Sequence, residues 1–175
     1  MNIEKLVKKA TKGNKDAFVE LMKIYERDMY NLTRYMLGNN EATYDVVQDT
    51  ILTVYEKIST LKNPSSFKSW LLKIVVNKSK RELSKQNKII FLENSIEIPI
   101  IDKELEKIEL MSLVSDLPDD FKSVIILFYF NDLSYKEISE ILDIPEGTVK
   151  SRLFRGKEIL HKIIYMEEDK ANGKG

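Results

Sequence analysis

The sequence predicts an all-α protein built from two helical domains joined by a flexible linker. Apolar residues recur at helical spacing through both halves of the 175-residue chain, enough length for two small domains. Between the halves, residues 86–102 lose that period, turn acidic and carry Ile98-Pro99-Ile100, which resists helix. Near the C-terminus, Ser134 and Glu137 form the spacing of a capping box and Pro145 separates two apolar-periodic runs, the signature of paired helices. The expected boundaries are a first domain at 1–86, an acidic linker at 87–104, a second domain at 105–166 and a frayed tail at 167–175.

Residues 1–10 fit a short amphipathic helix through Ile3, Leu6, Val7 and Ala10. Asn14 then reads as an N-cap, and Ala17, Phe18, Leu21, Met22, Tyr25, Met29, Leu32 and Met36 follow one helical stripe up to Gly38. Gly38 suits a left-handed C-terminal cap, and a bend is expected near Arg27-Asp28 because the pattern outlasts an average helix. A further helix spans roughly 40–58 and buries Val47, Thr50, Ile51, Val54 and Ile58. Asp45, Gln48, Asp49, Leu52 and Glu56 fall on its opposite side. The acids there fit an ordinary solvated face. Leu52 does not: an apolar residue ringed by acids, it looks more like a docking patch than a core position.

Pro64, Ser65 and Ser66 punctuate a loop at 61–66 before a helix at about 67–84 that buries Phe67, Trp70, Leu71 and Ile74. Its aromatics belong in the core more readily than on flipped bases. Lys73, Asn77 and Lys80, spaced by four and three, form an outward stripe suited to nucleic acid: cations neutralise phosphates and an amide reads a base edge. In the second half, Leu105, Ile108, Met111 and Leu113 resume the helical period as far as Leu117-Pro118. Residues 119–131 make a helix supplying Val124, Ile125, Leu127, Phe128 and Phe130 to a core.

After the capping box, Ile138, Ile141 and Leu142 pack inward, and Asp143-Ile144-Pro145 ends the helix. Pro145 starts the next one, where its missing donor costs nothing. Val149, Leu153, Gly156, Leu160 and Ile163 then share an inward stripe. Ser151, Phe154, Arg155 and Glu158 lie on the far side, with Lys150 and Arg152 on the flanks. A solvated face accounts for the charges but not for Phe154, a large ring pointing away from the core. In a major groove that ring packs on a thymine methyl while Lys150, Ser151 and Arg155 reach base edges and phosphates. The pair of helices reads as a helix-turn-helix.

Bulk properties narrow the field. The 28 basic and 28 acidic residues cancel, so nucleic-acid contacts must use local patches. Residues 73–88 hold six Lys/Arg against one Glu, and 147–162 hold five against Glu158, whereas 93–109 is acidic. The absence of cysteine excludes disulfides, zinc fingers and thiol catalysis. No apolar run suits a membrane span or a signal peptide, so a cytoplasmic protein is expected. An enzyme is not expected: His161 is the sole histidine and sits near the inner edge of its helix without a catalytic neighbourhood, and Asp45, Asp49 and Glu56 spread along one face rather than converge on a metal. Neither cofactor nor metal is expected.

Two motifs carry a family resemblance. Asp45-Val46-Val47-Gln48-Asp49-Thr50, followed by Ser66-Phe67-Lys68-Ser69-Trp70-Leu71-Leu72-Lys73-Ile74 and Asn77, resembles the second conserved region of bacterial RNA polymerase sigma factors of the extracytoplasmic-function (group IV, sigma-70 family) type. Leu117-Pro118, Leu133-Ser134-Tyr135-Lys136-Glu137-Ile138 and Ile144-Pro145-Glu146-Gly147-Thr148-Val149-Lys150-Ser151-Arg152-Leu153 resemble the fourth. The resemblance runs from about Asn14 to Ile164, leaving out the linker and tail. Either motif alone is suggestive; together, in this order and spacing, they are specific.

The resemblance implies an alternative sigma factor that binds core RNA polymerase and directs it to promoters. It implies that Asp45, Gln48, Asp49 and Leu52 dock on the β′ clamp helices, with the β flap as a second polymerase contact. Ser65, Ser66, Lys73, Asn77 and Lys80 would lie near the melted −10 element. Lys150, Ser151, Phe154 and Arg155 would read the −35 element, with Thr148 and Arg152 on phosphates and the amides of residues 146–148 suited to another phosphate. An anti-sigma partner, membrane-associated in many relatives, is implied in a stress response, because nothing resembles the first or third regions of housekeeping sigma factors. Two departures stand out: Ile51 where phenylalanine is common, and Lys78-Ser79-Lys80-Arg81 where an aspartate-containing run is frequent. A LuxR-type regulator shares the C-terminal pattern, but the first half shows neither alternating strands nor a phosphoacceptor constellation.

Overall fold

The computed structural model describes residues 2–38, 41–89, 114 and 117–171, with backbone alone at 86–89 and 165–171. The chain divides into two compact units, Met1–Ser95 and Ile96–Gly175. Among the described residues all regular structure is helical.

The first unit contains α1 (Ile3–Ala10), α2 (Lys15–Leu37), α3 (Glu41–Lys57) and α4 (Phe67–Ile89). Helix α2 packs on α1, α3 and α4, and α3 packs on α4. The expected Asn14 cap is present: its Oδ1 accepts from the Ala17 N–H at 2.8 Å. Every residue of the predicted α2 stripe is buried, and no interruption falls at Arg27-Asp28. Gly38 has the positive φ expected of it (+80°), but its ψ of 178° is extended rather than left-handed helical, a combination that strains any residue with a Cβ. The buried hydroxyls of Thr33 and Thr50 donate to Met29 O (2.8 Å) and Val46 O (2.7 Å), so neither sits unsatisfied in the core.

In α4 the core face is rotated from the predicted one. Phe67 and Leu71 are buried as expected, but Leu72, Val75, Val76 and Ser79 complete the face, while Trp70 and Ile74 are half-buried. The helix also runs on to Ile89, past its expected end near residue 84. In α3, Ile51 is half-buried rather than core, with Thr43 and Val46 taking its place. The loop before α4 is two short 3₁₀ turns, Ile58–Thr60 and Pro64–Ser66.

The second unit contains α5 (Asp119–Ile125), a wide π turn (Ile126–Phe130), α6 (Tyr135–Leu142) and α7 (Glu146–Ala171). The pattern expected at 105–113 and the acidic stretch at 93–109 lie outside the described residues; Val114 and Leu117 are buried. The single helix expected over 119–131 is α5 plus the π turn. That turn carries one residue more than an α turn and shifts the side-chain register. Ile126 and Leu127 join Val124 and Ile125 in the core, whereas Phe128 and Phe130 end half-buried.

Both other helices pack on α7. At Gly156 an added Cβ would meet Ile125 Cγ1 at 3.2 Å and Phe121 Cβ at 3.4 Å, so glycine lets α7 approach α5 closely. Helix α7 continues to Ala171, so the expected frayed tail at 167–175 is helical through its first five residues.

Candidate functional site

The helix-turn-helix forms as its capping predicts. Ser134 Oγ accepts from the Glu137 N–H at 3.3 Å, and Glu137 Oε2 accepts from the Ser134 N–H at 2.9 Å and hydroxyl at 2.7 Å. The stop is finer than a proline break. Asp143 itself adopts the left-handed conformation (φ 55°, ψ 46°), which a short polar side chain tolerates. The Ile144 N–H then returns to Ser139 O at 3.2 Å, and Ser139 Oγ donates to Ile144 O at 2.5 Å. Pro145 stands one residue before α7 and its carbonyl receives the Thr148 and Val149 N–H groups at 2.9 and 3.1 Å. The Thr148 amide is therefore committed inside the chain, which restricts the expected phosphate-binding amides to those of Glu146 and Gly147.

Val149, Leu153, Gly156 and Leu160 are buried and Ile163 is half-buried. Ser151, Phe154, Arg155 and Glu158 face outward, and Phe154 is 65% exposed. That exposure forgoes the hydrophobic free energy that a buried ring of this size contributes to a fold. The two flanking cations are both engaged from within the unit. Arg152 Nη2 donates to Asp120 Oδ2 of α5 at 2.8 Å. On the other flank Lys150 Nζ lies 5.6 Å from the centroid of the Tyr135 ring. Farther along that flank Lys157 Nζ lies 5.2 Å from the Tyr129 ring, whose hydroxyl raises the Lys157 ammonium above the usual lysine range. His161 is exposed, not at the inner edge of its helix.

In the first unit, Asp45, Gln48, Asp49, Leu52 and Glu56 are all exposed on α3. Leu52, at 62%, is as prominent as Phe154, and Tyr44 (58%) and Tyr55 (53%) flank it on the same helix. This face is amphipathic on its outside: an apolar ridge edged by carboxylates. Asp49 is ion-paired with Lys78 of α4, a partner absent from the sequence-based site. Twenty-nine positions separate the two residues, and only the packing of α3 on α4 brings them together.

On α4, Asn77 and Lys80 are exposed and Lys73 half-buried, one stripe as predicted. Ser65 and Ser66 stand at its head in the 3₁₀ turn. Asn63 caps that turn, its Oδ1 accepting from the Ser65 N–H (3.1 Å) and hydroxyl (2.9 Å). Ser66 is half-buried, with its carbonyl accepting from Ser69 Oγ at 3.1 Å. Phe67 is core, 5.4 Å from the Tyr25 ring, which leaves half-buried Trp70 as the accessible aromatic of the pair. Among the described residues no three of His, Asp and Glu gather as metal ligands, and no helix is long and apolar enough to cross a membrane.

Two family profiles divide the chain as these surfaces do: sigma-70 region 2 matches residues 21–89, and sigma-70 region 4 matches 107–160. Over 93% of its length the chain is 32% identical to the ECF RNA polymerase sigma factor SigW of Bacillus subtilis (strain 168), of which 96% is covered. The chain belongs to the extracytoplasmic-function sigma factors of the sigma-70 family. It is also 34% identical to the ECF RNA polymerase sigma-E factor of Haemophilus influenzae, with 91% of this chain and 93% of that one aligned. Two solved structures share the fold. CnrH in complex with the cytosolic domain of CnrY has a TM-score of 0.72 at 22% identity, covering 94% of this chain and 97% of that one. RpoE in complex with the anti-sigma factor NepR from Bartonella quintana has a TM-score of 0.74 at 21% identity, covering 85% and 96%. The protein is thus an alternative sigma factor, which directs RNA polymerase to specific promoters and initiates transcription. The LuxR-type alternative gains no support: region 2 fills the half where a receiver or ligand domain would stand.

Proposed function

We propose that this sigma factor divides its work between three surfaces. The outer face of α3, with Asp45, Gln48, Asp49 and Leu52, docks on the β′ clamp helices of core polymerase. Its chemistry fits a helical partner: an exposed leucine supplies apolar area and the carboxylates set register and on-rate with basic side chains. The turn at Ser65 and Ser66 and the stripe Lys73, Asn77 and Lys80 hold the opened −10 strand, cations on phosphates and the amide on a base. Helix α7 enters the −35 major groove with Lys150, Ser151, Phe154 and Arg155 toward the bases and Thr148 and Arg152 toward phosphates, while the β flap holds this unit on the polymerase.

The observation that carries the reading is Phe154, exposed at the centre of a helix-turn-helix second helix and flanked by Ser151 and Arg155. An anti-sigma factor, membrane-associated and released in a stress response, covers these surfaces when the protein is idle. The two similar structures are complexes, one with the anti-sigma factor NepR and one with the cytosolic domain of CnrY, which supports such a partner. The site of action is the cytoplasm, and the polymerase, not this chain, supplies the catalytic centre. Run-off transcription with purified core polymerase on genomic fragments tests the reading: discrete transcripts that require this chain are expected, and their absence from every fragment would sink it.

A further inference from the structure

Three rings and two lysines meet along one flank of the recognition helix. Phe128 of the π turn stacks on Tyr135 at 5.3 Å and 21° between planes, and meets Tyr129 edge-on at 4.9 Å and 83°. The outer members of this rack each carry a lysine of α7, Lys150 over Tyr135 and Lys157 over Tyr129. The π turn makes the rack possible, since its extra residue leaves Phe128 half-buried and aims Tyr129 at solvent. Tyr135 is anchored from below by Phe128, and it stands between Ser134 and Glu137, the two residues of the capping box.

We infer that Tyr135 is a positioning residue that presets Lys150 for the −35 base pair it reads, with Phe128 as the support that fixes the ring. The inference rests on the reading of α7 as the −35 helix. Lysine carries a flexible four-carbon stem, and fixing it at a base edge costs rotamer entropy at the moment of binding. A ring that already attracts the ammonium removes part of that loss before DNA arrives, and the ammonium keeps N–H donors for a guanine or phosphate oxygen. An exposed cation–π contact changes an equilibrium by about two- to fivefold, the size of effect expected here. Among the described residues Arg155 lies over no aromatic ring, so its readout is independent of the rack.

The test uses the full chain with core polymerase and a promoter fragment carrying a randomised −35 element, scored by sequencing bound against free DNA. Lys150→Ala defines the base pair that Lys150 reads. Tyr135→Leu is expected to lower discrimination at that position alone by about two- to fivefold, Tyr135→Phe to leave it intact, and the Tyr135→Leu effect to vanish in the Lys150→Ala background. Even weakening at all positions, or equal loss in Tyr135→Phe and Tyr135→Leu, would overturn the inference by marking a phosphate contact or a packing role. If Lys150→Ala alters no position, the base-reading role of Lys150 falls first and this inference with it. A readout independent of DNA guards against poor folding of the leucine variant: the Lys150 ε-methylene protons of the free full-length wild type are expected upfield of ordinary lysine by ring current. Unshifted ε-protons would refute the rack directly.

Discussion

Lys78 of α4 forms an ion pair with Asp49 of α3, joining the proposed polymerase-docking face to the helix that carries the proposed −10 stripe. The lysine is largely covered and the carboxylate largely exposed, so Asp49 can serve both neighbours. Reversing its charge would set two cations together, and loss of polymerase binding in such a variant would mix docking with a disturbed helix pair.

Asp45 and Leu52 give a cleaner test. Asp45→Arg and Leu52→Asp replace exposed side chains on α3, so thermal stability is expected to change by less than about 0.5 kcal/mol. Affinity for core polymerase, measured by fluorescence anisotropy of the labelled full chain, is expected to fall at least tenfold in each. Unchanged affinity in both would remove α3 as the docking surface.

Arg155 and Arg152 stand on one helix with different surroundings. Arg155→Ala is expected to cost about 1–3 kcal/mol at one −35 base pair, the value of a base-reading contact. Arg152, tied to Asp120 at 2.8 Å, is expected to behave differently: Arg152→Ala weakens all promoters evenly and reduces stability by about 0.2–1 kcal/mol, as for an ion pair near the surface. Competition binding across single-base promoter variants, with melting of the free protein, separates the two patterns.

Much of this arrangement was legible beforehand. The Ser134–Glu137 box, the Asn14 cap and the inward stripe of α7 depend on residues within four positions of each other, where local geometry decides the outcome. The core face of α4 was not so constrained: Trp70, Leu71, Leu72, Ile74, Val75 and Val76 are apolar on most sides, and the fit against α2 and α3 selected among them. The π turn has no periodic signature, since Val124 through Phe128 are all apolar whichever register they adopt. Asp143 in the left-handed region was hidden behind Pro145, the stronger local signal. Lys78–Asp49, Arg152–Asp120 and Lys150–Tyr135 link residues 29, 32 and 15 positions apart, and tertiary packing alone creates them.

Gly156 gives a prediction of stability. Alanine there gains about 1 kcal/mol of helix propensity, which offsets the mild crowding against Ile125 and Phe121. Gly156→Ala is expected within about 1 kcal/mol of wild type in urea unfolding of the full chain, whereas Gly156→Leu forces α7 off α5 and costs upward of 3 kcal/mol, the upper end for an overfilled core.

Tyr25 predicts behaviour at high pH. Its phenol is buried beside Phe67, and burial, with a smaller push from Asp28, raises it above the ordinary value of 10.0. Folding thus favours the neutral phenol. Its contribution is complete below the unfolded value near 10 and is lost as pH rises through the higher folded value. Tyr25→Phe, which cannot ionise, is expected to shift alkaline unfolding of the chain to higher pH, followed by circular dichroism from pH 9 to 12.

Permanganate footprinting of a promoter found by run-off transcription tests the central claim most directly, because it reports strand opening by the assembled machine. The account predicts reactive thymines at the −10 element only when core polymerase and this chain are both present. It further predicts their loss in Asp45→Arg at any promoter, and a loss in Arg155→Ala that tracks the −35 base pair. Opening that persists in Asp45→Arg, or is indifferent to the −35 sequence in the wild type, would contradict the assignment of docking to α3 and promoter reading to α7.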